Sequence, residues 1–165
     1  MAGQRIEVPQ AGVAVTVPEG WGFRIEMLET DWAQDAGVTV DAAIWRVLEL
    51  WSPVGDSELA TEHCSIGMLR VGEEGPEIMM MSDATPAPGR FPSGWTQSTT
   101  ELHLPAGLAT RIDSVGQEPE GDRYSTTYNF VSPDGPVWLG CDGLERPDGR
   151  WLSIAETIEF LPAEP

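Results

Sequence analysis

Two histidines and two cysteines are the residues best suited to covalent or metal chemistry: the adjacent pair His63-Cys64, then His103 and Cys141. A nucleophilic cysteine needs a base within hydrogen-bond reach and an electropositive setting. Neighbours on a strand point to opposite faces, so on a strand His63 does not activate Cys64. Both thiols read as reduced core groups, buried on the apolar faces of their strands, with a bridge between them left open. No pair has the C-x2–4-C or H-x3–5-H spacing of a zinc site, and no metal is expected. Asp134-Gly135, Asp142-Gly143 and Asp148-Gly149 gather acid near the end of the chain. They lack the D-x-D-x-D-G order of a calcium loop and read as tight turns. No two carboxylates stand out as a glycosidase pair. No G-x-G-x-x-G, Walker loop or G-x-S-x-G is present. The chain has no Lys, which removes Schiff-base chemistry and a P-loop lysine. No cofactor is expected.

Aromatic and sulfur-bearing side chains offer binding rather than catalysis. Of the seven Trp, Trp21, Trp45, Trp51, Trp138 and Trp151 fall in or beside core elements. Trp32 and Trp95 fall in loops, where an indole serves either as a binding anchor or as a lid on the core. Met79, Met80 and Met81 form a flexible apolar patch in the same region as Trp95, able to fill core or to line an adaptable groove. Trp95, Trp32 and Met79 to Met81 are the candidate binding residues.

Charge narrows the partners. The chain carries 27 Asp and Glu against 9 basic residues, a net charge of −18. With no basic stripe to neutralise phosphates, nucleic acid and anionic membrane surfaces are excluded as partners. A protein with a basic surface fits the charge. No run of about 18 apolar residues exists, so no membrane insertion is expected. The first residues show no basic region followed by an apolar stretch. The expected location is cytoplasmic, or extracytoplasmic if a leader precedes this sequence. At 165 residues and 41% hydrophobic, the chain reads as a single domain over 1–165.

The elements that must position these residues are mostly strands. Val13, Val15 and Val17 alternate up to Pro18, and Phe23, Ile25 and Met27 alternate after the Glu19-Gly20 turn. Residues 40–51 fit either a helical stripe or a strand buried on both faces, and the turn signal at 52–56 favours the strand. Cys64, Ile66 and Met68 share one face of 61–71, which implies a hairpin across 52–60. The segment 72–100 is rich in Pro and Gly and reads as an irregular connection, with a short helix near 77–81. Alternation resumes at Leu102, then at Leu108, Thr110 and Ile112, then along 123–131 and 137–141, with Pro133-Asp134-Gly135 as a hairpin turn. Trp151, Ile154, Ala155 and Ile158 form one helical stripe, with Asp148 placed as its cap.

Four short stretches resemble the PsbP-like superfamily, which includes PsbP itself and LpqN-type small bacterial proteins. They are Val15-Thr16-Val17-Pro18-Glu19-Gly20-Trp21, Leu104-Pro105-Ala106-Gly107-Leu108-Ala109-Thr110-Arg111, the hairpin 123–142, and the close Ile154-Ala155-Glu156-Thr157-Ile158-Glu159-Phe160. The chain departs from that pattern at 72–100, where the family carries a longer amphipathic helix. The resemblance implies an antiparallel sheet flanked by helices and accessory, non-enzymatic roles. The expected class is therefore α+β: an antiparallel β-sheet with flanking helices and the C-terminal helix packed on the sheet. The expected function is a non-catalytic accessory or binding protein acting through protein–protein contact. Two alternatives stand beside it: a small-ligand carrier with a pocket under 72–100, and a small hydrolase using carboxylates or Cys64.

Overall fold

The computed structural model describes residues 2–30, 42–53, 60–71, 96–118, 121–133 and 135–162. Ten strands dominate it. They are β1 (Gly3–Val8), β2 (Val13–Pro18), β3 (Gly22–Thr30), β4 (Ala42–Ser52), β5 (Glu62–Val71), β6 (Thr96–Leu104), β7 (Gly107–Glu118), β8 (Gly121–Ser132), β9 (Gly135–Gly143) and β10 (Glu159–Phe160). A single helix among the described residues, α1 (Arg150–Ala155), and a 3-10 turn at Pro9–Ala11 complete them.

The strands form two antiparallel sheets. The larger has the order β3-β4-β5-β9-β8-β7-β6, the smaller β1-β2-β10. The run β6 to β9 is built by one repeated device. Leu104-Pro105-Ala106-Gly107, Glu118-Pro119-Glu120-Gly121 and Ser132-Pro133-Asp134-Gly135 each place Pro first in a two-residue link, and the register closes on Leu104↔Gly107, Glu118↔Gly121 and Ser132↔Gly135. In each case the strand restarts on a glycine, Gly107, Gly121 and Gly135, at φ +129, +129 and +124, a region that a side chain makes costly.

One face of the large sheet is apolar. Leu48, Leu50, Cys64, Ile66, Met68, Leu139, Val137, Cys141, Tyr128, Phe130 and Ala109 are all buried in one cluster. Ile6, Val8, Val13, Val15 and Val17 of the small sheet and Trp151, Ile154, Ala155 and Ile158 at α1 belong to the same cluster. The small sheet and α1 thus form one layer that closes the core. A helix of six residues is too short to persist alone. Three large apolar residues, Trp151, Ile154 and Ile158, are nearly solvent-free, and burial stabilises by about 1.5–3 kcal/mol for each such side chain.

Two expectations are corrected. The α+β class with flanking helices does not hold, because the described residues are mostly strand with one short helix. Its physical reason lies in β1 and β2: their alternating apolar residues cover the large sheet where a helix layer was expected. Asp148 does not cap α1 either. The cap position is Gly149, without a side-chain hydrogen bond, and Asp148 accepts instead from Arg150 Nε at 2.8 Å, which holds its carboxyl below the usual range.

Residues 40–51 fall on the strand side: β4 spans Ala42–Ser52 and pairs with β5 from Ala42↔Val71 to Ser52↔Glu62. The strand β1 was not anticipated. The strand β6 begins at Thr96, within the segment read as irregular. The expected short helix at 77–81 lies outside the described residues.

Candidate functional site

The candidate binding residues Trp32, Trp95 and Met79 to Met81 all lie outside the described residues. What the structure describes instead is the chemistry of the large sheet's two faces.

The cysteines lie on the inner face. Cys64 and Cys141 stand directly opposite across β5 and β9, and their sulfurs are bonded at 2.08 Å with the Cα atoms 4.0 Å apart. That close spacing belongs to a non-hydrogen-bonded antiparallel pair. Both are buried, as their strand faces implied, at 1% and 2% exposure. The expectation of reduced thiols is corrected to a disulfide, because strand register brings together two residues that are 77 apart in sequence. Bonded sulfurs offer no thiolate, so the hydrolase alternative loses Cys64 as its nucleophile.

Two residues before Cys64, on the same face, Glu62 is buried at 4% exposure. Its carboxylate accepts from Trp151 Nε1 at 3.1 Å and faces Arg150 Nη1 at 3.0 Å. Gly143, its register partner, leaves the room: a Cβ there would come within 3.2 Å of the Trp151 ring and 3.3 Å of Glu62 Cγ. This acid fastens α1 to the sheet, and leaving a buried partner unpaired costs about 1–3 kcal/mol. The sequence reading missed Glu62, although the alternation of Cys64, Ile66 and Met68, extended by two residues, places it on the same face.

Towards β7 the same inner face turns polar. Arg111 Nε donates to Asp113 Oδ1 at 3.0 Å, and Thr126 Oγ1 donates to the same oxygen at 2.7 Å. The guanidinium stands 5.8 Å from the centre of the Tyr128 ring, within cation–π range. Burial pushes the Tyr128 phenol up to about 12, with Arg111 pulling the other way.

The outer face is different in kind. Register places Asn129, Trp138, Gly67 and Arg46 in one row, Thr127, Gly140, Ser65 and Glu49 in the next, and Ser125, Asp142, His63 and Trp51 in a third. Trp138 lies flat over Gly67: a Cβ on Gly67 would meet its ring at 2.2 Å. Trp51 covers Gly22 in the same way, at 2.3 Å. Gly140 is open, its nearest neighbour being Thr127 Oγ1 at 3.9 Å. Sequence position made Trp51 and Trp138 core candidates. The structure places them on this face, where they stand outside the apolar cluster.

Ion pairs frame the outer face. Arg24 Nη2 meets Glu49 Oε2 at 2.6 Å, Arg46 pairs with Glu26, and Arg123 Nη2 meets Asp142 Oδ2 at 2.6 Å. His63 Nδ1 is 3.9 Å from Glu49 Oε1. His63 and Cys64 indeed face opposite sides. Among the described residues no group of three or more His, Cys, Asp and Glu is placed to hold a metal, and no helix is long and apolar enough to cross a membrane.

A groove of about 340 Å³ opens where the β1–β2 hairpin meets the start of β3, between Gln4, Pro18, Glu19, Trp21 and Phe23. Its lining holds a single carboxylate, Glu19. The pocket expected under 72–100 lies outside the described residues.

No family model matches the chain, and no curated protein matches it by sequence. Solved structures do. The crystal structure of LpqN, involved in cell envelope biogenesis of Mycobacterium tuberculosis, superposes with a TM-score of 0.54 at 15% identity, over 91% of this chain and 83% of that one. The apo structure of the immunity protein TplEi of the T6SS from Pseudomonas aeruginosa gives a TM-score of 0.46 at 12% identity, over 74% and 46%, too loose to carry an argument. PsbP-like membership stays a resemblance of short motifs, and what the comparison establishes is that this chain is similar to LpqN in fold.

Proposed function

We propose that this protein is a non-catalytic accessory protein that acts by protein–protein contact in an oxidising compartment. The observation that carries the contact is the outer face of the large sheet: a flat, half-buried indole, Trp138, beside the open Gly140 and the short polar side chains of Ser65, Ser125 and Thr127. A rigid aromatic anchor set among small polar groups is what protein interfaces use. The net charge of −18 favours a partner with a basic surface. The disulfide supports the compartment, since such bonds persist outside the reducing cytosol. The shared fold with LpqN, a protein of cell envelope biogenesis, supports the same setting. This reading replaces the cytoplasmic expectation.

The test is a photo-crosslinking residue in place of Asn129, next to Trp138 in register, in the native host. The expected result is one discrete protein adduct, lost when Trp138→Ala is added while the thermal unfolding profile is kept. Turnover of a substrate by the purified chain, abolished by Glu49→Gln, would instead make it an enzyme. Alkylation of Cys64 and Cys141 in protein taken directly from its host would overturn the oxidising compartment.

A further inference from the structure

We infer that the free edge of β6 takes up an extended, positively charged segment of a partner protein as an added antiparallel strand. This rests on the protein-contact reading above and names how the partner is held.

The edge follows from register. The two-residue link Pro105-Ala106 closes on Leu104↔Gly107, which in a hairpin of that length is a hydrogen-bonded pair. Antiparallel pairs alternate, so Ser98, Thr100, Leu102 and Leu104 spend their N–H and C=O groups on β7. Gln97, Thr99, Glu101 and His103 turn theirs outward. The strand β6 pairs with β7 alone, and no backbone hydrogen bond reaches those outward groups among the described residues.

Among the described residues no element covers this edge. Thr96 to Glu101 are exposed without interruption, so the strand stands clear on both faces as well as along its side. Its nine residues run in one unbroken register. They contain no Pro and no Lys, the residues that commonly protect edges. The opposite edge of the same sheet, β3, is broken by a register shift between Ile25 and Leu28. A long, flat, exposed edge is the template that strand addition uses.

Charge selects the occupant. Glu101 is exposed and has no ion-pair partner among the described residues. Six of the nine arginines, Arg5, Arg24, Arg46, Arg111, Arg123 and Arg150, sit in ion pairs with carboxylates of their own chain. The field that remains is strongly negative. A second copy would set −18 against −18 and bring two Glu101 side chains to diagonal positions when paired about Thr100. A basic strand gains at both points, with Arg or Lys opposite Glu101 and apolar residues beside the half-buried Leu102 and Leu104.

The probe is a labelled nine-residue peptide alternating Val with Arg and Thr, titrated into the full chain by fluorescence anisotropy. Two control peptides carry N-methylated backbone or Glu in place of Arg. Saturable binding is expected, weakened at least ten-fold by backbone methylation and by the Arg-to-Glu exchange. Hydrogen exchange in the free chain is expected to be fast at Gln97, Thr99, Glu101 and His103 and slow at Ser98, Thr100 and Leu102, with the fast set slowed by the peptide. Thr99→Pro removes an outward N–H without touching the β7 ladder and should abolish binding. Glu101→Arg leaves the ladder whole and should weaken it several-fold even if the proline variant misfolds. Equal binding of the three peptides, or unchanged binding by Glu101→Arg, overturns the inference. So does a dimer in sedimentation that Thr99→Pro dissolves, since the occupant is then a second copy. If the peptide fails while the Asn129 crosslink still returns a protein, only the strand addition is wrong. If both fail, the contact reading falls with it.

Discussion

The two faces of the large sheet are made by the same strands and differ in almost every property. On β5, Cys64, Ile66 and Met68 point inward and are buried at 2% or less; His63 and Ser65 point outward and are half-buried. On β9, Leu139 and Cys141 go in; Trp138, Gly140 and Asp142 go out. Inside, apolar volume fills space against the small sheet and α1. Outside, two indoles lie over glycines, and ion pairs surround them. The inner face uses its residues to exclude water, whereas the outer face leaves them half-wet, which suits a surface that meets a partner.

The largest expected effect breaks the inner face. Ile154→Asp puts a charge where a side chain is fully buried, and should destabilise by several kcal/mol, on the order of 4 or more. On the outer face of the large sheet, Ser65→Thr should stay within about 0.5 kcal/mol. Urea unfolding of both variants measures the contrast, and similar losses would erase it.

A smaller effect sharpens what the outer face is. Gly67→Ala forces a Cβ into the ring of Trp138 and should cost about 1–3 kcal/mol. In a Trp138→Ala background the same change should be nearly free. A double-mutant cycle reads the coupling, and additive losses would show that the indole does not rest on that glycine.

The smallest effect lies where the inner face turns polar. The Tyr128 phenol is raised to about 12, chiefly by burial. The folded chain therefore holds this proton above the ordinary phenol value of 10.0, and the stability so gained is whole below that value. It declines as pH rises from there towards about 12. Tyr128→Phe should flatten the loss of stability over that window, as followed by the thermal midpoint against pH. An equally steep loss in the variant would move the cause elsewhere.

Period-2 alternation made most strands legible before any coordinates. Val13, Val15 and Val17, Cys64, Ile66 and Met68, and Leu139 with Cys141 all face inward as their spacing implied, because a pleated strand sends every second side chain to one side. Pro133-Asp134-Gly135 marked a hairpin for an equally local reason: one residue fixes φ and another tolerates its positive values. The burial of Trp151, Ile154, Ala155 and Ile158 followed from a stripe that only packing could stabilise.

What alternation leaves open is what lies against a face. Cys64 and Cys141 could be called buried, yet their bond depends on a register between strands 77 residues apart. Trp138 and Trp51 read as core candidates because they fall in or beside core elements, and the tertiary structure showed them covering Gly67 and Gly22 on the outer face. Glu62 sat on an apolar face with no visible reason until α1 brought Trp151 and Arg150 to it. The covering layer was read as helices and is a sheet, since β1, β2 and α1 reach the large sheet only through the closed fold. Local sequence sets the direction of each side chain by steric rules acting over a few residues. Which partner that side chain meets is decided by contacts between distant segments, and those exist only in the tertiary structure.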